Sequence, residues 1–168
     1  DLDTWPRRTH YEHFIHEAVC TYSTTVQLDI TKLKGRQLYP AMIWLLTETV
    51  NRLPEFRTDC TAQGVGIYDQ MHPAYTIFNP EPKTFPGIWT EFRPDYPAFL
   101  DAYRADVAAY AASTQYAPKP GRPPNSFDVS MVPWVPFTAF HLQLHGDGKY
   151  LLPIFTLGQF SDTQGKRL

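Results

Sequence analysis

The sequence has only two cysteines in 168 residues and no long apolar run. Cys20 and Cys60 form neither a CxxC pair nor a metal-binding spacing. They are therefore predicted to be free thiols in the reducing cytoplasm. A transmembrane helix needs about 20 consecutive apolar residues, and no apolar run here approaches that length. A membrane-spanning protein is therefore not expected.

Positive charge is scarce as well. Fifteen Lys and Arg residues face 17 Asp and Glu residues, the net charge is -2, and no basic run is longer than two residues. Nucleic acid is therefore not expected as the main partner, because binding a phosphate backbone needs concentrated positive charge. The sequence also lacks a GxSxG elbow, a P-loop and a GxGxxG motif, so it gives no sign of those nucleophile or nucleotide sites.

Six histidines are present, but their spacing does not suit a metal ion. His10, His13 and His16 lie three positions apart on a predicted helix, so their side chains fan around it instead of converging. His141 and His145 share one face of a predicted strand but lie about 13 Å apart at the rise of a strand. No metal site is predicted.

Aromatic residues and prolines, in contrast, are abundant. Eleven Phe, ten Tyr and four Trp make up 15% of the chain. This content indicates a large apolar core, an interface or a pocket for a flat ligand. The 16 prolines fall mostly in predicted connections, which favours stiff loops.

The hydrophobic patterns predict about three helices among a larger number of strands. Helices are predicted after an N-cap at Thr4, from Pro40 to Leu53 and from Tyr96 to Tyr110. Strands are predicted at residues 20–30, 56–60, 65–68, 73–78, 127–131, 137–145 and 150–156. Without repeats or a domain boundary, this order predicts one α+β domain over residues 1–168, a two-layer sandwich with helices on one face of a sheet.

The stretch from Ser130 to Phe140 is, on its own, a strand interrupted by two prolines, which suits an edge strand or a bulge. Beside it, segments that match one known family run in the same order through nearly the whole chain. They are Arg7-Arg8, His10-Tyr11-Glu12, Cys20-Thr21-Tyr22, Tyr39-Pro40-Ala41, Pro54-Glu55-Phe56-Arg57, His72-Pro73, Thr84-Phe85, Ser130 with Pro133-Trp134-Val135, Pro153-Ile154-Phe155-Thr156 and Thr163-Gln164-Gly165. In these segments the sequence resembles the trimeric chloramphenicol acetyltransferases. The resemblance implies a mixed sheet backed by helices, and a homotrimer with active sites between subunits.

The resemblance also implies the chemistry. The family transfers an acetyl group from acetyl-CoA to a primary hydroxyl of chloramphenicol in the bacterial cytoplasm, which gives antibiotic resistance. A histidine acts as the general base. By matched position, Ser130 stabilises the oxyanion and Thr156 helps to hold a water molecule there. Arg7 matches an arginine that pairs with an aspartate near the catalytic histidine, which implies a structural role.

Pocket residues follow from the same matched positions. The acceptor pocket is expected to be lined by Phe14, Cys20, Thr76, Phe85, Gly87, Phe140, Leu142, Leu144 and Ile154. The residues alone add that Phe140, Leu142 and Leu144 alternate along a predicted strand and so share one face, with plain core packing as the alternative. Trp134 and Phe160 match positions close to coenzyme A. The resemblance implies no metal.

Departures from the family pattern leave two alternatives open. None of the six histidines matches the family's histidine motif, which would lie beyond Leu168, so the chain is expected to be incomplete at its C-terminus and at its N-terminus. One alternative is therefore a catalytically inactive truncated form. The residues at His13, Ala18 and Ala117 alter the expected pocket, so the other is a same-fold acetyltransferase that acts on another hydroxyl acceptor.

Overall fold

The computed structural model describes residues 2–18, 20–61, 64–142 and 150–159. The α-helices are α1 (Arg8–Glu12), α2 (Leu38–Arg52) and α3 (Tyr96–Tyr110). A π-helical turn, His13–Glu17, follows α1, and short 3-10 turns lie at Thr31–Leu33 and Pro54–Arg57. The strands are β1 (Thr58–Thr61), β2 (Gly64–Ile67), β3 (His72–Thr76), β4 (Gly87–Trp89), β5 (Ser126–Pro136) and β6 (Ile154–Gln159).

The two long helices form where local signals predict them. Helix α2 begins at Leu38, two residues before the predicted start, and Pro54 prevents it from continuing past Leu53. Helix α3 matches its predicted bounds. Its N-cap is Asp95, whose side chain accepts a hydrogen bond of 3.0 Å from the backbone N–H of Ala98.

Four strands form a mixed sheet in the order β4-β3-β5-β6. Strands β3 and β4 are antiparallel, whereas β3 pairs with β5, and β5 with β6, in parallel. The parallel crossover from β3 to β5 contains α3, as such connections commonly do. Strands β1 and β2 make a separate antiparallel hairpin, as predicted.

Both long helices pack on one face of this sheet. One apolar cluster joins α2 and α3 to the strands; it contains Ile43, Val50, Met71, Tyr75, Ile88, Phe92, Phe99, Tyr103, Phe127, Val129 and Leu152. The hydroxyl of Tyr39, on α2, ties β3 to β5 because it lies 3.1 Å from the carbonyl oxygen of Thr76 and 3.2 Å from that of Val129. The predicted α+β fold, with a mixed sheet and helices on one face, is confirmed.

Alternation along the strands defines the other side of the sheet. Because Tyr75, Val129 and Phe155 face the helices, their neighbours point the opposite way. We call this opposite side the second face. Its central residues are Thr76 on β3, Asp128 and Ser130 on β5, and Ile154 and Thr156 on β6.

The prediction for the first helix is wrong at its start. Helix α1 begins at Arg8, its N-cap is Arg7, and no side chain caps it. The predicted cap, Thr4, lies in a turn before the helix. After Glu12 the helix widens into the π-helical turn. His13 and His16 therefore point in other directions than the spacing of a regular α-helix predicts.

The predicted strand at residues 20–30 is also wrong, because this segment is irregular up to the 3-10 turn. Its apolar residues are exposed, Tyr22 by 90% and Val26 by 67%. An alternating pattern becomes a strand only when another strand pairs with it, and the described part of the chain offers no such partner. Side chains of the segment instead reach the residues after β5, where Ser23 Oγ lies 2.7 Å from His141 Nδ1.

Strand β5 is longer than predicted. Of the two strands predicted after it, the first is not found in the described residues and the second begins later than predicted. β5 runs through both prolines, and its pairing with β6 shifts between Val132 and Pro136, which confirms the bulge. The alternative of an edge strand is wrong, because β5 pairs with β3 on one side and β6 on the other. Residues 137–142 are irregular, and 143–149 lie outside the described residues. β6 begins only at Ile154, because Pro153 has no N–H to offer a ladder.

Stability is expected to fall in mild acid because of His72 on β3. Its Nδ1 accepts a hydrogen bond of 3.0 Å from the backbone N–H of Phe92, and burial lowers its pKa, with the Glu91 carboxylate opposing weakly. The folded pKa therefore lies below the unfolded value of about 6.5, so the stabilising contribution is present above that value and is lost as the pH falls below it. Urea denaturation between about pH 7 and pH 5 measures the loss.

Two variants separate His72 from other titrating groups. In His72→Asn the amide oxygen keeps an acceptor near the Phe92 N–H and does not titrate, so the decline in unfolding free energy between neutral and mildly acidic pH is expected to become shallower. His10→Asn changes an exposed histidine and serves as the control. A decline as steep in His72→Asn as in the unaltered protein would contradict the assignment.

Candidate active site

Two hydroxyl side chains meet on the second face. Ser130 and Thr156 are partners in the parallel pairing of β5 with β6, so both point to the same side of the sheet. Ser130 Oγ lies 3.1 Å from Thr156 Oγ1, and both residues are half-buried. The long helices α2 and α3 pack on the other face of the sheet, so neither of them covers this hydroxyl pair.

Thr76 and Gly87 extend this row across the sheet. Tyr75 pairs with Val129, so the parallel register brings the next residue, Thr76, beside Ser130. Gly87 is the antiparallel partner of Thr76. The N–H of Gly87 donates a hydrogen bond of 2.6 Å to the carbonyl oxygen of Tyr116, which ties β4 to the Pro-rich loop between α3 and β5, residues 111–125. A Cβ atom at Gly87 would lie 3.5 Å from that oxygen, so the loop packs closely here.

A neighbouring row contains Ile154 and an ion pair. Ile154 is the pairing partner of Asp128. The Asp128 carboxylate accepts two hydrogen bonds of 3.0 Å from Arg122, and Arg122 Nε lies 2.9 Å from Ser126 Oγ. Asp128 and Arg122 were not among the residues predicted from the sequence. The alternation of Asp128 with Ser130 is the signal that places the carboxylate on the same face.

Tyr150 borders this ion pair. Burial and the nearby Asp128 carboxylate together raise the pKa of Tyr150 to about 12, against the opposing effect of the Arg122 guanidinium. The phenol therefore stays protonated at neutral pH and is a hydrogen-bond donor. The ion pair raises the pKa of Arg122, although burial acts in the opposite direction.

The chain after β5 folds back over the second face. Gly158, on β6, points to this side, and a Cβ atom placed on it would overlap the ring of Phe137. The N–H of Phe137 donates to the carbonyl oxygen of Gln159 at 3.2 Å. The rings of Phe137 and Phe140 lie 5.5 Å apart, so Phe140, a predicted pocket residue, is near this face. Phe140 and Leu142 do not alternate along a strand as predicted, because Pro136 ends β5.

Trp134 stands near the end of β5 with more than half of its side chain exposed. Its ring centroid lies 5.0 Å from that of Phe78, which follows β3. The two rings form an exposed aromatic pair that can contact a flat ligand. Phe160, the other residue predicted near coenzyme A, lies outside the described residues.

The remaining predicted residues are mostly exposed. Phe14, on the π-helical turn, is 52% exposed, and Phe85 is 56% exposed. Cys20 is an exposed free thiol. The Arg7 guanidinium lies 4.9 Å from the centroid of the Trp5 ring, a cation-π contact. Within the described ranges, no hydrogen bond, ion pair or ring contact joins these residues to the hydroxyl pair, and Leu144 lies outside those ranges.

The described residues contain neither a metal-binding cluster nor a membrane-spanning helix. Within the described residues, no group of three or more His, Cys, Asp or Glu side chains is arranged to hold a metal ion. In the same part of the chain, no helix combines the length and the apolar character that a bilayer crossing requires.

Known proteins resemble this chain in sequence and in fold. The family model described as chloramphenicol acetyltransferase matches residues 1–168. A chloramphenicol acetyltransferase of Campylobacter coli is 44% identical over 169 residues, which covers 99% of this chain and 82% of the relative. One of Vibrio anguillarum is 43% identical, with 99% of this chain and 78% of the relative covered.

A solved structure of a chloramphenicol acetyltransferase superposes with a TM-score of 0.77 at 18% identity, covering 100% of this chain and 84% of that one. At this identity the superposition supports the fold, whereas the sequence matches, which run through nearly every described element, carry the family assignment. The chain therefore belongs to the chloramphenicol acetyltransferase family of enzymes.

Proposed function

We propose that this enzyme transfers an acetyl group from acetyl-CoA to a hydroxyl of chloramphenicol, with Ser130 stabilising the oxyanion. The observation that carries the proposal is the contact of 3.1 Å between Ser130 Oγ and Thr156 Oγ1 on the second face of the sheet. Relatives named for this activity match nearly the whole chain, which supports the choice of substrates.

The reaction is a direct transfer. A general base, a histidine in this family, takes the hydroxyl proton as the acceptor oxygen attacks the thioester carbonyl. The carbonyl oxygen then carries negative charge in a tetrahedral intermediate, and the Ser130 hydroxyl donates a hydrogen bond to it. Thr156 helps to hold a water molecule there, and at 3.1 Å its hydroxyl can also donate to Ser130 Oγ and orient it, since either oxygen of the pair can be the donor. Collapse of the intermediate breaks the C–S bond, and coenzyme A leaves as a thiol once it receives the proton.

Acceptor and co-substrate use different parts of the second face in this proposal. Chloramphenicol lies against Thr76, Gly87 and Ile154, which surround the hydroxyl pair, and further pocket residues come from the segments that hold Phe14, Cys20, Phe85, Phe140, Leu142 and Leu144. Coenzyme A passes the exposed Trp134 ring, with Phe160 as its second aromatic contact. No metal takes part.

The proposed assembly is a homotrimer in the bacterial cytoplasm, with each active site between two subunits. Exposed apolar side chains on the segment 20–30, such as Tyr22 and Val26, support an assembly that covers them. Two free cysteines are compatible with a reducing compartment. Arg7 supports the loop of the catalytic histidine in this arrangement.

The test is an assay of thiol release with the full-length enzyme. We expect coenzyme A to appear only when chloramphenicol and acetyl-CoA are both present, with acetylated chloramphenicol as the product by mass spectrometry. Light scattering of the same preparation is expected to report a trimer. If a panel of other hydroxyl compounds is acetylated and chloramphenicol is not, the enzyme has another acceptor and the proposal is wrong.

A further inference from the structure

An ion pair shares the second face with the hydroxyl that is proposed to stabilise negative charge. Asp128 and Ser130 lie two positions apart on β5, so both side chains point to this face about 7 Å apart. Their pairing partners on β6, Ile154 and Thr156, lie in the same two rows. A carboxylate at this distance opposes the formation of an oxyanion unless another charge compensates it.

The Arg122 guanidinium provides the positive charge that compensates the Asp128 carboxylate. Its three guanidinium nitrogens are all engaged: two donate to the Asp128 carboxylate at 3.0 Å, and Nε donates to Ser126 Oγ at 2.9 Å. Ser126 in turn donates to the carbonyl oxygen of Pro123 at 2.6 Å, which fixes the loop that carries Arg122. The bidentate geometry places the positive charge directly against the carboxylate.

We propose that Arg122 is a positioning residue for acetyl transfer, which neutralises the Asp128 carboxylate beside the oxyanion at Ser130. The inference rests on the proposed function, because it needs negative charge to develop at that serine. Arg122 touches neither substrate; it acts through Asp128. Among the described residues, the titratable groups that act on the pair are the phenols of Tyr150 and Tyr116, and the Asp59 carboxylate acts on Tyr150.

The expected size of the effect follows from Coulomb's law. Removing Arg122 leaves a full negative charge about 7 Å from the developing oxyanion, and at an effective dielectric constant of about 20 this slows the reaction by roughly 50-fold. Because both side chains of the pair are almost half exposed, solvent screens the charge. We therefore expect a loss of about tenfold in kcat.

A double-mutant cycle in the full-length enzyme tests this inference. Arg122→Gln is expected to lower kcat about tenfold with little change in KM for chloramphenicol, and Arg122→Lys, which keeps the charge, to retain most of the rate. The double variant Arg122→Gln/Asp128→Asn is expected to recover most of the loss, because the uncompensated carboxylate is gone. For Asp128→Asn alone, kcat is expected to be at least as high as in the unaltered enzyme.

Salt and a matched control separate charge from folding. The deficit of Arg122→Gln is expected to shrink as ionic strength rises, which a purely structural defect would not do. Arg52→Gln removes the same charge from an exposed ion pair with Glu48 on α2 and is expected to leave kcat unaffected.

The possible results are easily told apart. An unaltered enzyme that fails to acetylate chloramphenicol refutes the proposed function itself. Two results overturn only the role of Arg122 and leave the proposed function intact. In an active enzyme, either the double variant stays as slow as Arg122→Gln, or Asp128→Asn lowers kcat more than threefold. If Arg122→Gln fails to fold, Arg122→Lys and Asp128→Asn still decide the question.

Discussion

Ser130→Ala is expected to lower kcat of the full-length enzyme by at least tenfold, and by as much as about 10²–10³-fold if Ser130 is the main donor to the oxyanion. KM for chloramphenicol is expected to change little, because the hydroxyl donates its hydrogen bond chiefly in the transition state. The substitution removes one oxygen from a half-buried position, so the sheet is expected to keep its fold. Steady-state kinetics with thiol release measures both constants.

Thr156→Val extends the same experiment. The threonine hydroxyl lies 3.1 Å from Ser130 Oγ and, in the proposed mechanism, orients it, so its removal is expected to cost less than removal of the serine itself. In the double variant the two losses are expected to be less than additive, since both act through one donor. Ser113→Ala removes another half-buried hydroxyl, which accepts a hydrogen bond of 3.1 Å from the Gln115 N–H shortly after α3, and is the matched control. Equal kcat values for Ser130→Ala and this control would remove Ser130 from the mechanism.

Local signals explain why the long helices were predictable. The apolar stripe of α2 and the proline that follows Arg52 and Leu53 act over a few residues, so the sequence contains the whole reason for the helix. Helix α3 has its cap, Asp95, and its proline in the first turn. Residues 20–30 show the opposite case, because their alternation is real but a strand also needs a partner that a local pattern cannot supply.

The candidate site was predictable only in part, for the same physical reason. The family resemblance marks Ser130 and Thr156 separately, but their contact depends on the register between β5 and β6, which no local pattern determines. Asp128 was accessible in principle, since it alternates with Ser130 along one strand. Arg122 was not, because it reaches the site from a Pro-rich loop whose path depends on tertiary contacts.

The largest expected effect on stability is at Lys119, in the same Pro-rich loop. Its Nζ lies 2.6 Å from Asp106 Oδ1 and 2.9 Å from the carbonyl oxygen of Trp89, and 4.2 Å from the centroid of the Trp89 ring. Asp106 Oδ2 accepts from Thr90 Oγ1 at 2.7 Å, and Thr90 accepts from the Tyr75 hydroxyl at 2.7 Å. This chain of contacts joins the loop, α3, β4 and the core of the sheet.

Lys119→Met is expected to lower the free energy of unfolding by about 3 kcal/mol, because it leaves the Asp106 carboxylate without its cation in a site only 17% exposed. The double variant Lys119→Met/Asp106→Asn is expected to lose clearly less, since the amide still accepts from Thr90 and carries no charge. Arg52→Met breaks an exposed ion pair and is expected to cost less than about 0.5 kcal/mol. Urea denaturation of the four proteins compares them.

The consequence for the site distinguishes this network from an ordinary surface pair. Lys119 holds the loop against β4, and the same loop accepts the hydrogen bond of Gly87 through the carbonyl oxygen of Tyr116. Gly87 lies beside Thr76 in the row that contains Ser130. Loosening the loop is therefore expected to raise KM for chloramphenicol several-fold while kcat falls less, the reverse of the pattern for Ser130→Ala. A loss of stability in Lys119→Met as large as in the double variant would show that packing around the lysine stem, and not the buried charge, holds the loop in place.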